Sequence, residues 1–200
     1  MPTDATPATP IRRPRVTPER EIELLNVALD VTREVGYEAL SMEVVATRAR
    51  CSKATLYRQW NSKAGMIVAA LHTVRPLHFD RVDTGTLRGD LLASAVRLAS
   101  HAEKETALLS GLGHAILTDA ALGQAMRTAL LEPDAAHLMS LVDRAVDRGE
   151  LPQRPGAAQF LPSMLTGAVI SRPAFEGVFA DADYLTRFTD TVLLPALLNS

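Results

Sequence analysis

Three serines constrain this chain more than any other feature. Ser41, Ser52 and Ser62 each stand directly before a run of helix-forming residues, so each can cap a helix start with its hydroxyl. The two helices bounded by these caps, one from Ser41 to Ala49 and one from Ser52 to about Trp60, are too short to be stable alone in water. Each must dock an apolar side on its neighbours: Met42, Val44, Val45, Ala46 and Ala49 on the first, Leu56 and Trp60 on the second. Only two or three residues separate the two helices, which is helix-turn-helix spacing. Docking leaves Lys53, Thr55 and Arg58 on the outer face of the second helix, all able to reach phosphates or base edges. Such a helix fits the roughly 12 Å wide major groove of DNA with its N-terminal residues against the bases.

The flanking segments are also helical. Thr17 offers an N-cap, Pro18 a first helical position, and Glu19 and Glu21 negative charge near the positive helix end. Ile22, Leu25, Leu29 and Thr32 recur at helical spacing as far as Gly36, a C-terminal stop. The helix capped by Ser62 is expected to end at Pro76. Further segments fall near 86–102, 105–117, 120–131, 134–148, 156–171 and 182–198, with breaks at Asp119, Pro133, Gly149 to Pro155 and Gly177 to Asp181. Pro162 and Pro195 must then occupy a first turn or a kink. Alanine and leucine dominate, aromatics are only 4% of residues, and β-branched alternation is scarce, so the expected fold is all-α.

Charge is distributed unevenly. The net charge of −2 conceals +4 over residues 11–75 and −5 over residues 76–200. Between Val44 and Arg75 stand Arg48, Arg50, Lys53, Arg58, Lys63 and Arg75 with no acidic residue among them, a block suited either to a polyanion or to a solvated helix face. Before the first helix, residues 1–16 carry four prolines and the cluster Arg12, Arg13 and Arg15, a composition expected to stay mobile and to attract DNA nonspecifically. The single cysteine, Cys51, cannot form an internal disulfide. No apolar run approaches the roughly 18 residues of a membrane span, and the N-terminus lacks the apolar centre of a signal peptide, so a cytoplasmic location without membrane contact is expected. His72, His78, His101, His114 and His137 are scattered without metal-ligand spacing, and neither a phosphate loop nor a nucleophile elbow occurs. No enzymatic activity, metal or cofactor is expected. His101, His114 and His137 fall where an effector pocket would form, though surface positions are commoner for such residues.

The stretch GYEALSMEVVATRARCSKATLYRQWNSKAGMI, residues 36–67, resembles the DNA-binding signature of TetR-type (TetR/AcrR) transcriptional regulators. With the first helix the likeness covers about 45 residues, and it matches caps, turn and aromatics together. It implies an N-terminal three-helix helix-turn-helix domain over 17–78 (motif 41–60) and an effector-binding and dimerisation domain over 79–200. About nine or ten helices in all are implied, with a homodimer through the last two. The implied partners are double-stranded DNA bearing a near-palindromic operator and a small-molecule effector. By the same resemblance Lys53, Ala54 and Thr55 open the recognition helix, Tyr57 sends its hydroxyl to a phosphate, and Trp60 is core. Arg58 contacts a base or a phosphate, and Lys63 with the Ser62 cap meets a phosphate. Ser41 and Ser52 combine capping with phosphate contact, and Arg15 grazes the backbone or minor groove.

Two features depart from the family pattern, the turn after the second helix and Gly65 in the fourth. Arg50 and Cys51 occupy the turn where glycine and a small apolar residue are usual. Either the turn differs or Arg50 bears a left-handed strain of about 1 kcal/mol or more; Arg50 is expected to add a phosphate contact. Cys51 is expected as a small buried hydrophobe, with a redox switch as the alternative if it is exposed beside Arg50 and Lys53. Gly65 should weaken the first turns of its helix by about 1 kcal/mol and soften the link between domains. The most direct reading is a repressor released by its effector. The alternatives are an activator with this fold, or a helical dimeric interaction module that no longer reads sequence.

Overall fold

The computed structural model describes residues 16–74, 79–100 and 102–200, and among them the chain is all-helical. Arg15 and the rest of the basic arm, Pro76, His78 and His101 lie outside the described residues. Helix α1 (Pro18–Ala39) is followed by α2 (Met42–Arg48), α3 (Lys53–Trp60) and α4 (Lys63–Val74). Then come α5 (Leu87–Ala99), α6 (Ala102–Thr118), α7 (Ala120–Met126), α8 (Glu132–Asp147), α9 (Leu161–Glu176), α10 (Ala182–Phe188) and α11 (Leu194–Leu198).

The expected caps form. Thr17, Ser41 and Ser52 each accept a backbone N–H from three residues ahead, as do Thr86 before α5 and Asp181 before α10. Gly36 adopts φ +79 and ends the regular part of α1, a backbone conformation few other residues tolerate. The α1 seam differs in one place. Ile22 is 48% exposed, and Leu24 takes the inner position beside Leu25, Ala28 and Leu29. Val44 on α2 is likewise exposed, because docking of so short a helix engages only Met42, Val45 and Ala46.

The prolines behave differently from expectation. Pro133 does not break the chain: α7 passes through a π-helical segment, Arg127–Leu131, directly into α8. The N–H of Glu132 reaches back five residues to the Arg127 carbonyl, and this widened turn leaves room for a proline ring that would strike the carbonyl four residues back in a regular helix. The same device precedes Pro195, where the π segment Thr189–Leu193 joins α10 to α11 and the Leu194 N–H bonds to Thr189. The eleven α segments thus make nine continuous helices among the described residues. Helix α9 also runs past its expected end and through Pro173 to a left-handed Gly177; Pro162 sits in its first turn as expected.

Two apolar cores result. The first joins α1–α4 to α6 and α7 through Leu108, Leu112, Leu122, Met126 and Leu130. The second gathers Phe79, Val82, α5 and α8–α11 around Leu91, Leu141, Leu165 and Leu185. Asp90, wholly buried on α5, accepts from the Thr84 N–H at 2.6 Å and the Thr84 hydroxyl at 2.8 Å and faces Arg144 of α8 and Arg148 at its C-terminal end, which fastens the loop before α5 to α8. No described helix is long and apolar enough to cross a membrane.

Candidate nucleic-acid interface

The turn between α2 and α3 sets the attitude of α3. Ala49 closes α2, Arg50 takes φ +50, the Arg50 N–H bonds to Thr47 and the Cys51 N–H bonds back to Ala46 at 2.9 Å. This is a Schellman ending with arginine in the left-handed position that glycine normally fills, so Arg50 carries the strain. Cys51, the residue after it, is half-buried against the first core. Burial pushes its thiol above the usual range, against a weaker opposing effect of the Arg20 guanidinium, a direction that disfavours the thiolate a redox switch would use. Arg20 of α1 reaches the Ala49 carbonyl and ties the start of α1 to the turn.

Helix α3 is anchored by Leu56 and Trp60, both buried. Away from them Lys53, Ala54, Tyr57 and Arg58 form one exposed stripe, with Tyr57 47% exposed. Thr55 is half-buried at the edge of the stripe. Its N–H donates to the Ser52 hydroxyl at 3.1 Å and the two hydroxyls lie 2.8 Å apart, so both side chains are occupied by capping. Ser41 is engaged in the same way with the Val44 N–H. Asn61, at φ +62, stops the helix.

The basic block is less free than its sequence suggests. Glu34 of α1 holds Arg48 at 2.7 Å, and Glu43 of α2 holds Lys53 at 3.1 Å. The Lys63 ammonium donates to the Tyr37 carbonyl at 3.0 Å and lies 4.0 Å from the centre of the Tyr37 ring. Among the described residues Arg50 and Arg58 remain exposed cations without an acidic partner. Glu34 and Glu43 lie just outside the acid-free run, and only the packing of α1 and α2 brings them onto it.

One long-range contact ties this region to the start of α7 within the first core. The Tyr37 hydroxyl donates to Asp119 at 3.0 Å, and Asp119 caps α7 through the N–H groups of Ala121 and Leu122. Those N–H groups, above all that of Leu122, and the tyrosine hydroxyl hold the Asp119 carboxyl below its usual range. Burial, with the Asp119 contact, holds the tyrosine well above its own. The glycine-aromatic pair at 36–37 and the break at 119 were visible separately; their contact spans 82 positions and was not. Gly65 is no soft spot either: a Cβ there would stand 2.5 Å from the Trp60 carbonyl oxygen, so the α3–α4 joint requires its absence.

A cavity of about 440 Å³ opens between α5, α8 and α9, walled by Phe79, Leu98, Leu131, Leu138 and Ile170, with Ser163 and Thr166 among its polar groups. His114 and His137 are not part of its wall; His114 faces Glu38 at 3.7 Å on the surface. Exposed apolar side chains gather on α9–α11 and the segments beside them: Phe160, Phe175, Val178, Val192 and Leu198.

Residues 24–70 match the family of bacterial regulatory proteins of the tetR type, and residues 81–192 match the tetracyclin repressor-like C-terminal domain. An uncharacterised HTH-type transcriptional regulator of Mycobacterium tuberculosis is 30% identical over 200 residues, all of this chain and 94% of that protein. A DNA-binding transcriptional repressor, TetR, of Mycobacteroides abscessus is 36% identical over 177 residues, 88% of this chain and 92% of that one. In fold, Salmonella enterica GusR superposes with a TM-score of 0.71 at 18% identity, covering 92% of this chain and 99% of its own. The chain belongs to the TetR family and is a DNA-binding transcriptional regulator.

Proposed function

We propose that this regulator is a homodimeric repressor that occupies a near-palindromic operator and leaves it when a small molecule fills the cavity between α5, α8 and α9. The observation that carries the DNA contact is the stripe on α3, rigidly based on Leu56 and Trp60. Lys53, Ala54 and Thr55 lie at the groove end of α3. Tyr57, Arg58, Arg50 and Lys63 serve phosphates, Ser41 and Ser52 support that contact while capping, and Arg15 adds a contact from the arm. Residues 17–78 act as the DNA-binding domain and 79–200 as the effector and dimer domain, in keeping with the two matched segments. The apolar surface on α9–α11 supports a two-fold pairing of those helices. Two heads held about 34 to 36 Å apart then address successive major grooves.

Release has a physical route. In the π segment, Leu130 is buried in the first core while its neighbour Leu131 walls the cavity. One continuous helical run therefore touches both, and α7 within it packs on α4. A ligand that prefers a shifted α8 draws α7 and α4 with it, and it moves the equilibrium only by that preference. The wall favours a mainly apolar molecule with one or two hydrogen-bonding groups. The test is a random-library selection with the full-length protein, then anisotropy titration on the recovered duplex and a scrambled one at about 150 mM salt. A ratio of at least about a thousandfold supports the reading. Equal binding to both refutes it, and compounds that release the recovered duplex identify the effector.

A further inference from the structure

We propose that Glu43 is a positioning residue of the DNA interface that acts through Lys53 and raises discrimination by suppressing binding to random DNA. The inference rests on the operator-reading function above. Glu43 stands 3.1 Å from the Lys53 ammonium, with the two side chains 72% and 52% exposed. An ion pair so open to solvent contributes little to folding. It nevertheless puts a carboxylate beside the first residue of the recognition helix, on a surface that must approach a polyanion. A negative charge there opposes association with any duplex. Its effect is therefore to be sought in the difference between duplexes.

An ammonium has three N–H donors, and Glu43 takes one. The other two remain for a base edge, and guanine, with O6 and N7 side by side in the major groove, is the base that suits them. The carboxylate thus holds Lys53 over the start of α3 and limits its wandering to nearby phosphates. On random DNA, where a guanine stands in register only by chance, the held ammonium elsewhere releases no counterion and the carboxylate repels the backbone. On the operator, the same hold presents the donors already oriented. Arg50 and Arg58, which no acid restrains among the described residues, supply backbone attraction on every sequence.

The test uses the full-length protein, the duplex recovered by selection and a scrambled duplex, titrated at about 100, 150 and 200 mM salt. Glu43→Gln is expected to tighten random-DNA binding about threefold to tenfold and to steepen its salt slope by about 0.9, the value of one added phosphate contact. Operator affinity should change by less than about threefold. Lys53→Gln alone should weaken operator binding about tenfold and leave the random-DNA slope unchanged, yet in the Glu43→Gln background it should abolish the gained slope. Equal tightening on both duplexes by Glu43→Gln, or equal weakening on both by Lys53→Gln, overturns the inference while leaving operator reading intact. Wild-type protein that does not separate the two duplexes overturns both. Both side chains are exposed, and a matched thermal melt confirms that each variant is folded.

Discussion

Replacing Gly65 by alanine sets two effects of opposite sign against each other at one atom. Helix propensity alone favours alanine by about 1 kcal/mol. The added Cβ, however, would lie 2.5 Å from the Trp60 carbonyl oxygen and 3.3 Å from the Ser62 hydroxyl oxygen. Neither neighbour yields easily. The Trp60 carbonyl accepts the Ser62 N–H at 2.6 Å and belongs to a residue whose ring is buried, while the Ser62 hydroxyl accepts the Gly65 N–H at 3.0 Å. Relief requires α4 to move off α3, an overpacking cost of about 1–3 kcal/mol, together with a weakened cap worth up to about 1 kcal/mol. The clash wins, and Gly65→Ala should destabilise by about 1–2 kcal/mol, a fall in Tm of about 2–8 °C for a chain of this size. The assay is a calorimetric melt at fixed protein concentration, since a dimer's Tm depends on it, with urea midpoints as a second measure. A Tm equal to or above wild type would show that helix propensity outweighs the contact with the Trp60 carbonyl.

Arg50→Gly should relieve the left-handed strain and raise stability by up to about 1 kcal/mol, while weakening binding to all duplexes and lowering the salt slope by about one; a lower Tm would mean that the Schellman turn needs the arginine. Tyr37→Phe removes the hydroxyl that reaches Asp119. The depressed Asp119 carboxyl makes its contribution above its unfolded pKa and loses it as pH falls below about 4, whereas the raised Tyr37 makes its contribution below about pH 10 and loses it above. The variant should therefore melt lower from pH 5 to 9 and show a smaller stability change at both extremes; an unchanged pH profile would remove the contact from the account. Cys51 should react with a maleimide far more slowly in the native protein than in urea, and mild peroxide should leave DNA binding unaltered; rapid native labelling would contradict a half-buried thiol of raised pKa.

What was legible in the sequence was what is local. A hydroxyl three residues from the N–H it accepts, a glycine at the end of α1, and Leu56 and Trp60 four apart on one face are all settled within a turn or two, so the helices of the DNA-binding half and the inner face of α3 could be read directly. The helices of the second half were legible except at their prolines. A proline forbids one regular hydrogen bond but not the π turn that bypasses it, and only packing on both sides selects the bypass at Pro133 and Pro195. The cavity was not legible because its wall, Leu131, Leu138 and Ile170 among others, has the composition of the core beside it.

Charge is where local reading misleads most. An acid-free run of cations looks like a free basic face, yet an ion pair is decided by distance in space, and Glu34 and Glu43 lie 14 and 10 positions from the residues they hold. What the acid-free run offers DNA is therefore not a row of equivalent positive charges. Arg50 and Arg58 are open, Lys53 is held on a carboxylate, Arg48 is held on another, and Lys63 is folded onto Tyr37. Each held cation must leave or share its partner before it can neutralise a phosphate, and that requirement lowers attraction to arbitrary DNA. A regulator competes against about a million or more nonspecific sites in a genome, so weakening the common background can serve it as well as strengthening the rare operator contact.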